Sequence, residues 1–271
     1  MNILISNDDG VFAPGILAAK EAVEDLANVY VVAPDKNNSS IGRRITLFKH
    51  LKIESCELED GSEAFSVSGT PADAVIVGVD YIMDEKPDLI ITGINQGVNI
   101  SCDITSSGTV CAAFEAVSLG IPAIAASLFV DPKTSFKQDE NGQWYVDYDF
   151  SLAKKVLHDL VLKIMDKGFP DGVDLFNLNV PSNYSSPEVK ITHLSDVMLE
   201  KQVIDNTDKE KEDLFNYGLD NNQESDNLVM IASDLVQEYE KGSDGYALIV
   251  DKCPSLTPLN VNMTFQELKG W

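Results

Sequence analysis

Basic residues are scarce in this 271-residue chain, which has 20 lysines and arginines against 44 aspartates and glutamates. The formal net charge of −24 gives a surface that repels nucleic-acid backbones and anionic membranes. We therefore expect neither a nucleic-acid polymer nor a membrane as a partner. A small anionic substrate stays compatible with this charge, because a bound cation and a helix N-terminus can reverse the field locally.

Cysteines are few as well, and none of the four belongs to a C-x-x-C pair or lies near one of the three histidines. A zinc site is therefore not expected, and we interpret the thiols as reduced packing residues. Every apolar run is far shorter than a membrane span. The N-terminus lacks the charged region and cleavage site of a signal peptide, so we expect a cytoplasmic protein.

Short apolar runs alternate with apolar residues at helical spacing, which is typical of an α/β fold with a mostly parallel sheet. The spacing predicts a hairpin over 45–67 with its turn at Asp60-Gly61, and a capping box at the start of the helix that follows residue 69. The predicted strands are 3–6, 29–33, 87–92, 121–127, 174–180, 246–250 and 255–259. The predicted helices are 14–26, 70–82, 109–119, 150–165 and 228–239, with loops at 131–147 and, in an acidic stretch, at 200–226.

Polar clusters follow several of these strands or open helices, and in a doubly wound sheet such positions converge on one edge. Asp8 and Asp9 follow the first strand, and adjacent carboxylates repel unless a proton, a cation or a cationic side chain relieves them. The loop 37–40 and the turn 93–97 add hydroxyl and amide oxygens. This donor set suits a hard ion such as Mg²⁺ or Mn²⁺. For Arg43 and Arg44, contact with an anion and simple solvation both stay open.

Ser107, Gly108 and Thr109 open a predicted helix, where free backbone N–H groups and two hydroxyls form a seat for phosphate. A metal beside a phosphate seat points to phosphoryl chemistry. The G-x-G-x-x-G and G-x-x-x-x-G-K-[ST] loops and the G-x-S-x-G elbow are absent from the sequence. The adjacent acids Asp8 and Asp9 also differ from the D-x-D of aspartyl-phosphate phosphatases, so a covalent aspartyl route lacks its signature.

Five ordered motifs make the chain resemble the SurE family of survival-protein nucleotidases and phosphatases. The likeness is dense over residues 1–130 and thinner beyond. The motifs are NDDG at residues 7–10, SGTPAD at 68–73, GINQGVN at 93–99, SGTVCAAFE at 107–115 and GIPAIA at 120–125. The chain departs from the usual family pattern at Ser101 in place of Gly, Ser106 in place of Tyr, and His193 in place of Arg.

The resemblance implies a phosphomonoesterase that depends on one divalent metal ion per subunit, Mg²⁺ or Mn²⁺ with Co²⁺ as a third candidate. Its substrates would be nucleoside 5′-monophosphates, with 3′-monophosphates and short polyphosphate as further family substrates. The implied metal ligands are Asp8, Asp9, Ser39 and Asn95.

The resemblance also implies a Rossmann-like three-layer sandwich. We divide the chain into a catalytic core at 1–195 and a C-terminal arm at 196–271, through which homodimers or homotetramers would form.

We expect direct hydrolysis, in which Asp8 or Asp9 orients or deprotonates water while Asn95 and residues 107–109 hold the phosphate. Two alternatives stay open. A receiver-like regulatory domain also carries paired acids after its first strand, but it needs an acceptor aspartate ending the third strand, where this chain has Thr92-Gly-Ile-Asn95. A nucleotide-binding module without activity would bind a nucleoside monophosphate and release no phosphate.

Overall fold

The computed structural model describes residues 1–130, 136–138, 144–182, 188–197, 199–205, 229–236, 238–262 and 264. Nine of its strands form the central sheet: β1 (Asn2–Ser6), β2 (Asn28–Pro34), β3 (Ile53–Glu57), β4 (Glu63–Val67), β5 (Leu89–Gln96), β6 (Ala123–Phe129), β9 (Leu175–Pro181), β10 (Lys190–Ile191) and β13 (Ser255–Leu259). Two short ribbons, β7 (Phe136–Gln138) with β8 (Trp144–Val146) and β11 (Leu199–Asp205) with β12 (Val229–Leu235), stand apart from it. The helices are α1 (Pro14–Glu21), α2 (Pro71–Val77), α3 (Gly108–Ser118) and α4 (Ser151–Lys167).

The central sheet is mostly parallel and runs in the order β10-β13-β9-β6-β5-β1-β2-β4-β3. Only β3 at one side, and β13 with β10 at the other, run antiparallel to the rest among the strands described. β1 pairs in parallel with β2 on one side and with β5 on the other. After β1 the chain adds strands toward one edge of the sheet, and from β5 onward it adds them toward the other edge, so the strand order reverses at the β1–β5 boundary. The carboxyl end of that boundary is where α/β sheets bind their ligands.

Helices cover both faces of the sheet, and the first strand shows why. Ile3 and Ile5 point to one face, where they join the core beneath α1 and α4, while Leu4 points to the other, beneath α2 and α3. All three side chains are fully buried, as expected for a strand that is apolar on both faces. The predicted α/β three-layer sandwich of Rossmann type is thus confirmed. None of the helices in the described ranges is long and apolar enough to cross a bilayer.

Local signals placed several elements correctly. Thr70 caps α2 by accepting the Asp73 N–H at 3.2 Å, and the Asp73 carboxylate accepts the Thr70 N–H at 2.8 Å, which completes the predicted capping box. The hairpin is confirmed for β3 and β4, although residues 45–52 before it form no strand.

Other predictions were wrong. Residues 229–235 of the predicted helix 228–239 form β12, because their pairing with β11 satisfies the backbone and overrides an apolar spacing that suited either structure. Tyr246–Val250 is a π-helical turn instead of a strand. β5 continues through the predicted turn as far as Gln96, and β7 and β8 lie within the predicted loop 131–147. In the predicted acidic loop 200–226, residues 200–205 belong to β11, and 206–226 lie outside the described residues.

The last strand bears on the division of the chain at residue 195. β13 lies in the predicted C-terminal arm, yet it pairs with β9 of the central sheet over five residue pairs, from Ser255 with Asn179 to Leu259 with Leu175. The C-terminal part of the chain therefore supplies one strand to the core as well as the β11–β12 ribbon.

Candidate active site

Asp8 and Asp9 lie directly beyond the carboxyl end of β1, at the β1–β5 boundary where the strand order reverses. Asn7 shapes the turn: its side-chain amide donates to the Gly10 carbonyl at 2.8 Å and its Oδ1 accepts the Gly10 N–H at 3.1 Å. Gly10 has φ +109°, a conformation that side-chain-bearing residues rarely adopt. This turn lets the two consecutive carboxylates reach different neighbours on the same edge of the sheet.

Asp8 faces the start of α3 and is only 4% exposed. The Thr109 hydroxyl donates a short hydrogen bond to Asp8 Oδ1. Gly108 comes so close that a Cβ added to it would lie 2.6 Å from the Asp8 Cβ. A glycine is therefore required at the first turn of α3 for the carboxylate to approach the helix.

Asp9 faces the end of β5. Its Oδ2 accepts the backbone N–H of Gln96 at 3.1 Å, and its Oδ1 accepts the Asn37 side-chain amide at 3.3 Å. Both partners lie inside the predicted polar clusters at 37–40 and 93–97. Neither was predicted as a ligand or a catalytic residue, because a motif does not reveal which backbone N–H or loop amide contacts the acid.

Burial raises the pKa of both carboxyl groups. The pKa of Asp8 rises from its ordinary 3.8 to about 6, mainly through loss of hydration and in part through the Asp9 charge, while the Thr109 hydrogen bond opposes the shift. Burial likewise raises the pKa of Asp9, against the Gln96 hydrogen bond. In the described part of the chain no cationic side chain offsets these effects at either group. A bound cation would remove the remaining electrostatic cost.

Ser39 reaches the acids through its own segment. The Asn38 N–H donates to the Asp8 carbonyl at 2.7 Å, and Asn37, which contacts Asp9, also accepts the Ser39 N–H at 2.8 Å. The Ser39 side chain is exposed, and its hydroxyl has no hydrogen-bond partner within the ranges described. The segment that contacts Asp8 and Asp9 through Asn38 and Asn37 therefore also carries an uncommitted hydroxyl.

Asn95 is the first residue of β5 to pair with β6 after a shift of register. The pairing passes from Thr92 with Ala125 to Asn95 with Ser127. Its Nδ2 donates to the Gly97 carbonyl at 3.0 Å. The opposite atom, Oδ1, accepts no hydrogen bond from any described residue, so it is a free amide oxygen.

The predicted phosphate seat is partly committed to internal contacts. The Ser107 oxygen caps α3 by accepting the Val110 N–H at 3.1 Å, which leaves its own O–H as a donor. The Thr109 hydroxyl already donates to Asp8. Thr109 therefore links the predicted phosphate seat at the start of α3 to the carboxylate of Asp8.

A buried clamp that the prediction missed holds the segment beyond Asn95. Asn177 and Asn179 donate their side-chain amides to the Asn99 carbonyl at 2.7 and 2.8 Å, and Asn179 Oδ1 accepts the Asn99 N–H at 2.9 Å. The Asn99 amide in turn donates to the Ser127 hydroxyl at 2.9 Å. Two asparagines at alternate positions of an otherwise apolar strand were the available sequence signal.

Two of the positions that depart from the family pattern have clear structural roles. Ser101 adopts φ +60° while fully buried, and its N–H donates to the buried Asp244 carboxylate at 2.8 Å. The Ser106 carbonyl accepts the Gly42 N–H at 2.9 Å. His193 is exposed, with its Nε2 3.7 Å from Glu240. His193 therefore lies at the surface, beside a residue of the C-terminal arm.

The donor set fits a hard divalent cation. In the described part of the chain no three His, Cys, Asp or Glu side chains gather closely enough to hold a metal. Any ion here would therefore depend on neutral oxygens to complement the two carboxylates. The free Asn95 Oδ1 and the Ser39 hydroxyl are oxygens of that kind, which Mg²⁺ and Mn²⁺ accept.

Comparison with known proteins identifies the family. The model of the family described as "Survival protein SurE" matches residues 3–201. The chain is 41% identical to 5′-nucleotidase SurE of Methanosphaera stadtmanae over 98% of its length and 97% of that protein's, and 42% identical to that of Methanobrevibacter smithii over 100% and 99%. It also resembles the crystal structure of the SurE protein from Aquifex aeolicus, with a TM-score of 0.74, 32% identity and coverage of 97% of this chain and 95% of that one. The chain belongs to the SurE family.

Proposed function

We propose that this chain is a 5′-nucleotidase, which hydrolyses nucleoside 5′-monophosphates to nucleoside and phosphate with the help of one divalent metal ion. The observation that carries the proposal is the Asp8–Asp9 pair, which has no cationic partner in the described residues. Asp8 is buried against the first turn of α3, and Asp9 is half-buried beside it. The names of the full-length relatives support the substrate class. We extend the proposal to 3′-monophosphates as a second substrate class.

Asp8, Asp9, Ser39 and Asn95 would hold the ion, chosen from Mg²⁺, Mn²⁺ and Co²⁺. Such an ion polarises a phosphate oxygen and lowers the pKa of water. The chain's own groups do the rest. The Ser107 O–H and the Gly108 N–H at the start of α3 bind the phosphate, while the Val110 N–H is occupied by the Ser107 cap. Thr109 fixes the orientation of Asp8, and one of the two aspartates takes the proton from the attacking water.

Phosphate release from a panel of nucleoside monophosphates, with each of the three metals, tests the proposal. We expect Asp8→Asn to lower turnover roughly 10²–10⁴-fold, because it removes a metal ligand and a proton acceptor. EDTA should have a similar effect on the unmodified chain. Asp159→Asn, which changes an exposed aspartate on α4, is the matched control and should leave turnover unchanged.

Two results would sink this function. Full activity of Asp8→Asn or in EDTA would exclude the metal mechanism. Tight nucleotide binding without phosphate release under every metal would instead support a non-catalytic nucleotide-binding module.

We further propose that the chain self-associates through the β11–β12 ribbon. Val203 and Ile231 are paired directly across the ribbon and are 66% and 73% exposed. Exposed apolar pairs of this kind mark surfaces that bury against a partner.

A further inference from the structure

Arg43 lies four residues beyond Ser39, on the segment that carries the proposed metal-binding hydroxyl. Its guanidinium is directed at α3: Nε donates to Glu115 Oε2 at 2.8 Å, and Nη2 donates to the Ser118 hydroxyl. Glu115 and Ser118 are one helical turn apart on the same face of α3, so one planar guanidinium grips both. The guanidinium is therefore committed to protein atoms.

The grip on α3 involves a buried charge. Glu115 is 6% exposed, and Arg43 is its ion-pair partner. Removing one member of such a pair leaves the other charge buried and uncompensated, so the contact differs from an exposed salt bridge.

A second contact tightens the same connection. The Gly42 N–H donates to the Ser106 carbonyl at 2.9 Å, immediately before the Ser107 cap of α3. At its other end the segment is fixed to the first strand's acids by the Asn38 N–H on the Asp8 carbonyl. Ser39 is thus held between β1 and α3, with Arg43 as the side-chain anchor on the α3 side.

We propose that Arg43 is a positioning residue for the metal site, which sets the distance between Ser39 and the Asp8–Asp9 pair by anchoring their common segment to α3. The inference rests on the proposed function, since it assigns Ser39 to the metal. Arg43 touches neither substrate nor metal in this role, and its charge is neutralised by Glu115 so that it does not compete with a cation for the aspartates.

Calorimetric titration of the full chain with Mn²⁺, in the absence of nucleotide, tests the assignment. We expect Arg43→Ala to raise the Kd roughly tenfold or more, as is usual when a group supporting a metal ligand is lost. Arg43→Lys should recover part of the affinity, because it keeps the positive charge beside Glu115. The recovery should be incomplete, because an ammonium cannot reproduce the two contacts that the planar guanidinium makes with Glu115 and Ser118. Ser118→Ala changes an exposed residue and removes one of the two contacts of the guanidinium, so it should raise the Kd by a smaller factor.

Arg44→Ala is the matched control, because this neighbouring side chain has no hydrogen bond or ion pair in the part of the chain that the structure describes. Its Kd should equal that of the unmodified chain. An unchanged Kd in both Arg43→Ala and Ser118→Ala, or an equal loss in Arg44→Ala, would overturn the assignment, even if Arg43→Ala melts at a lower temperature. If the unmodified chain itself neither binds Mn²⁺ nor releases phosphate, the proposed function fails, and the assignment fails with it.

Discussion

The charged form of Asp8 lowers the stability of the folded chain when no cation is bound beside it. Its pKa is about 6 in the folded state, against an ordinary 3.8. The folded chain therefore binds more protons than the unfolded chain between about pH 4 and pH 6. Stability contributed by this group is present at low pH, falls as the pH rises through that window, and stays at its lower level above it. A group that function requires thus opposes folding at neutral pH when no cation is bound.

This cost predicts that Asp8→Asn stabilises the metal-free protein. Asparagine fills the same space and can still accept the Thr109 hydrogen bond, but it brings no charge into the site. We expect its melting temperature in EDTA at pH 7.5 to exceed that of the unmodified chain by about 2–4 °C, equivalent to roughly 1 kcal/mol. The difference should shrink as the pH falls to 5, because Asp8 then becomes neutral. A lower melting temperature for Asp8→Asn at pH 7.5 would contradict the assignment of the cost to Asp8.

Among the elements, β5 and β9 fix the second half of the site. β5 brings the Gln96 N–H to Asp9, directly after the proposed ligand Asn95. β9 holds the following segment through the contacts of Asn177 and Asn179 with the Asn99 backbone. The two asparagines differ, because Asn177 Oδ1 is buried without a hydrogen-bond partner among the described residues.

That difference predicts unequal effects for two similar substitutions. Asn179→Leu removes two hydrogen bonds and leaves the Asn99 N–H without its acceptor, so we expect it to lower the free energy of unfolding by roughly 1–3 kcal/mol. Asn177→Leu removes one hydrogen bond and also an unpaired acceptor, so its cost should be below about 1 kcal/mol. Urea unfolding of both variants measures the difference. Equal losses would show that the Asn99 N–H is not the critical group.

The elements that were predicted well from the sequence are determined by residues that are close together in the chain. The residues of β1 are apolar on both faces, and Thr70 and Asp73 form a capping box. The strand and the start of α2 therefore follow from neighbouring residues. β12 and the extension of β5 depend on partners far along the chain, which local spacing does not contain. The same holds in the site: the predicted acids lie where expected, whereas the Arg43–Glu115 pair joins residues 72 positions apart.

On the scale of the whole molecule, a strongly acidic surface and an exposed apolar ribbon act in opposite directions on self-association. Val203 and Ile231 favour burial against a second copy, while the net charge of −24 makes copies repel one another. Salt screens the repulsion, so association through the ribbon should strengthen as ionic strength rises.

We accordingly predict that Val203→Lys or Ile231→Lys shifts the protein toward the monomer, because either change would bury a charge in the contact. Sedimentation velocity at matched concentration and salt measures the shift. Tyr81→Lys, which alters another exposed apolar side chain, 75% exposed and outside the ribbon, is the control. A sedimentation profile unaffected by either ribbon substitution would place the contact elsewhere.

The position of β13 has a consequence for how the protein is made. Residues 255–259 lie inside the central sheet, between β9 and β10, although they are the last strand described along the chain. During synthesis β9 therefore keeps an open edge until these residues leave the ribosome, and such an edge can pair wrongly with another nascent chain. β1, β5 and α3 emerge much earlier, so the acidic pair can meet its neighbours before the sheet is closed. A message that stopped just before codon 255 would encode every proposed metal and phosphate ligand on a sheet that its own chain cannot finish.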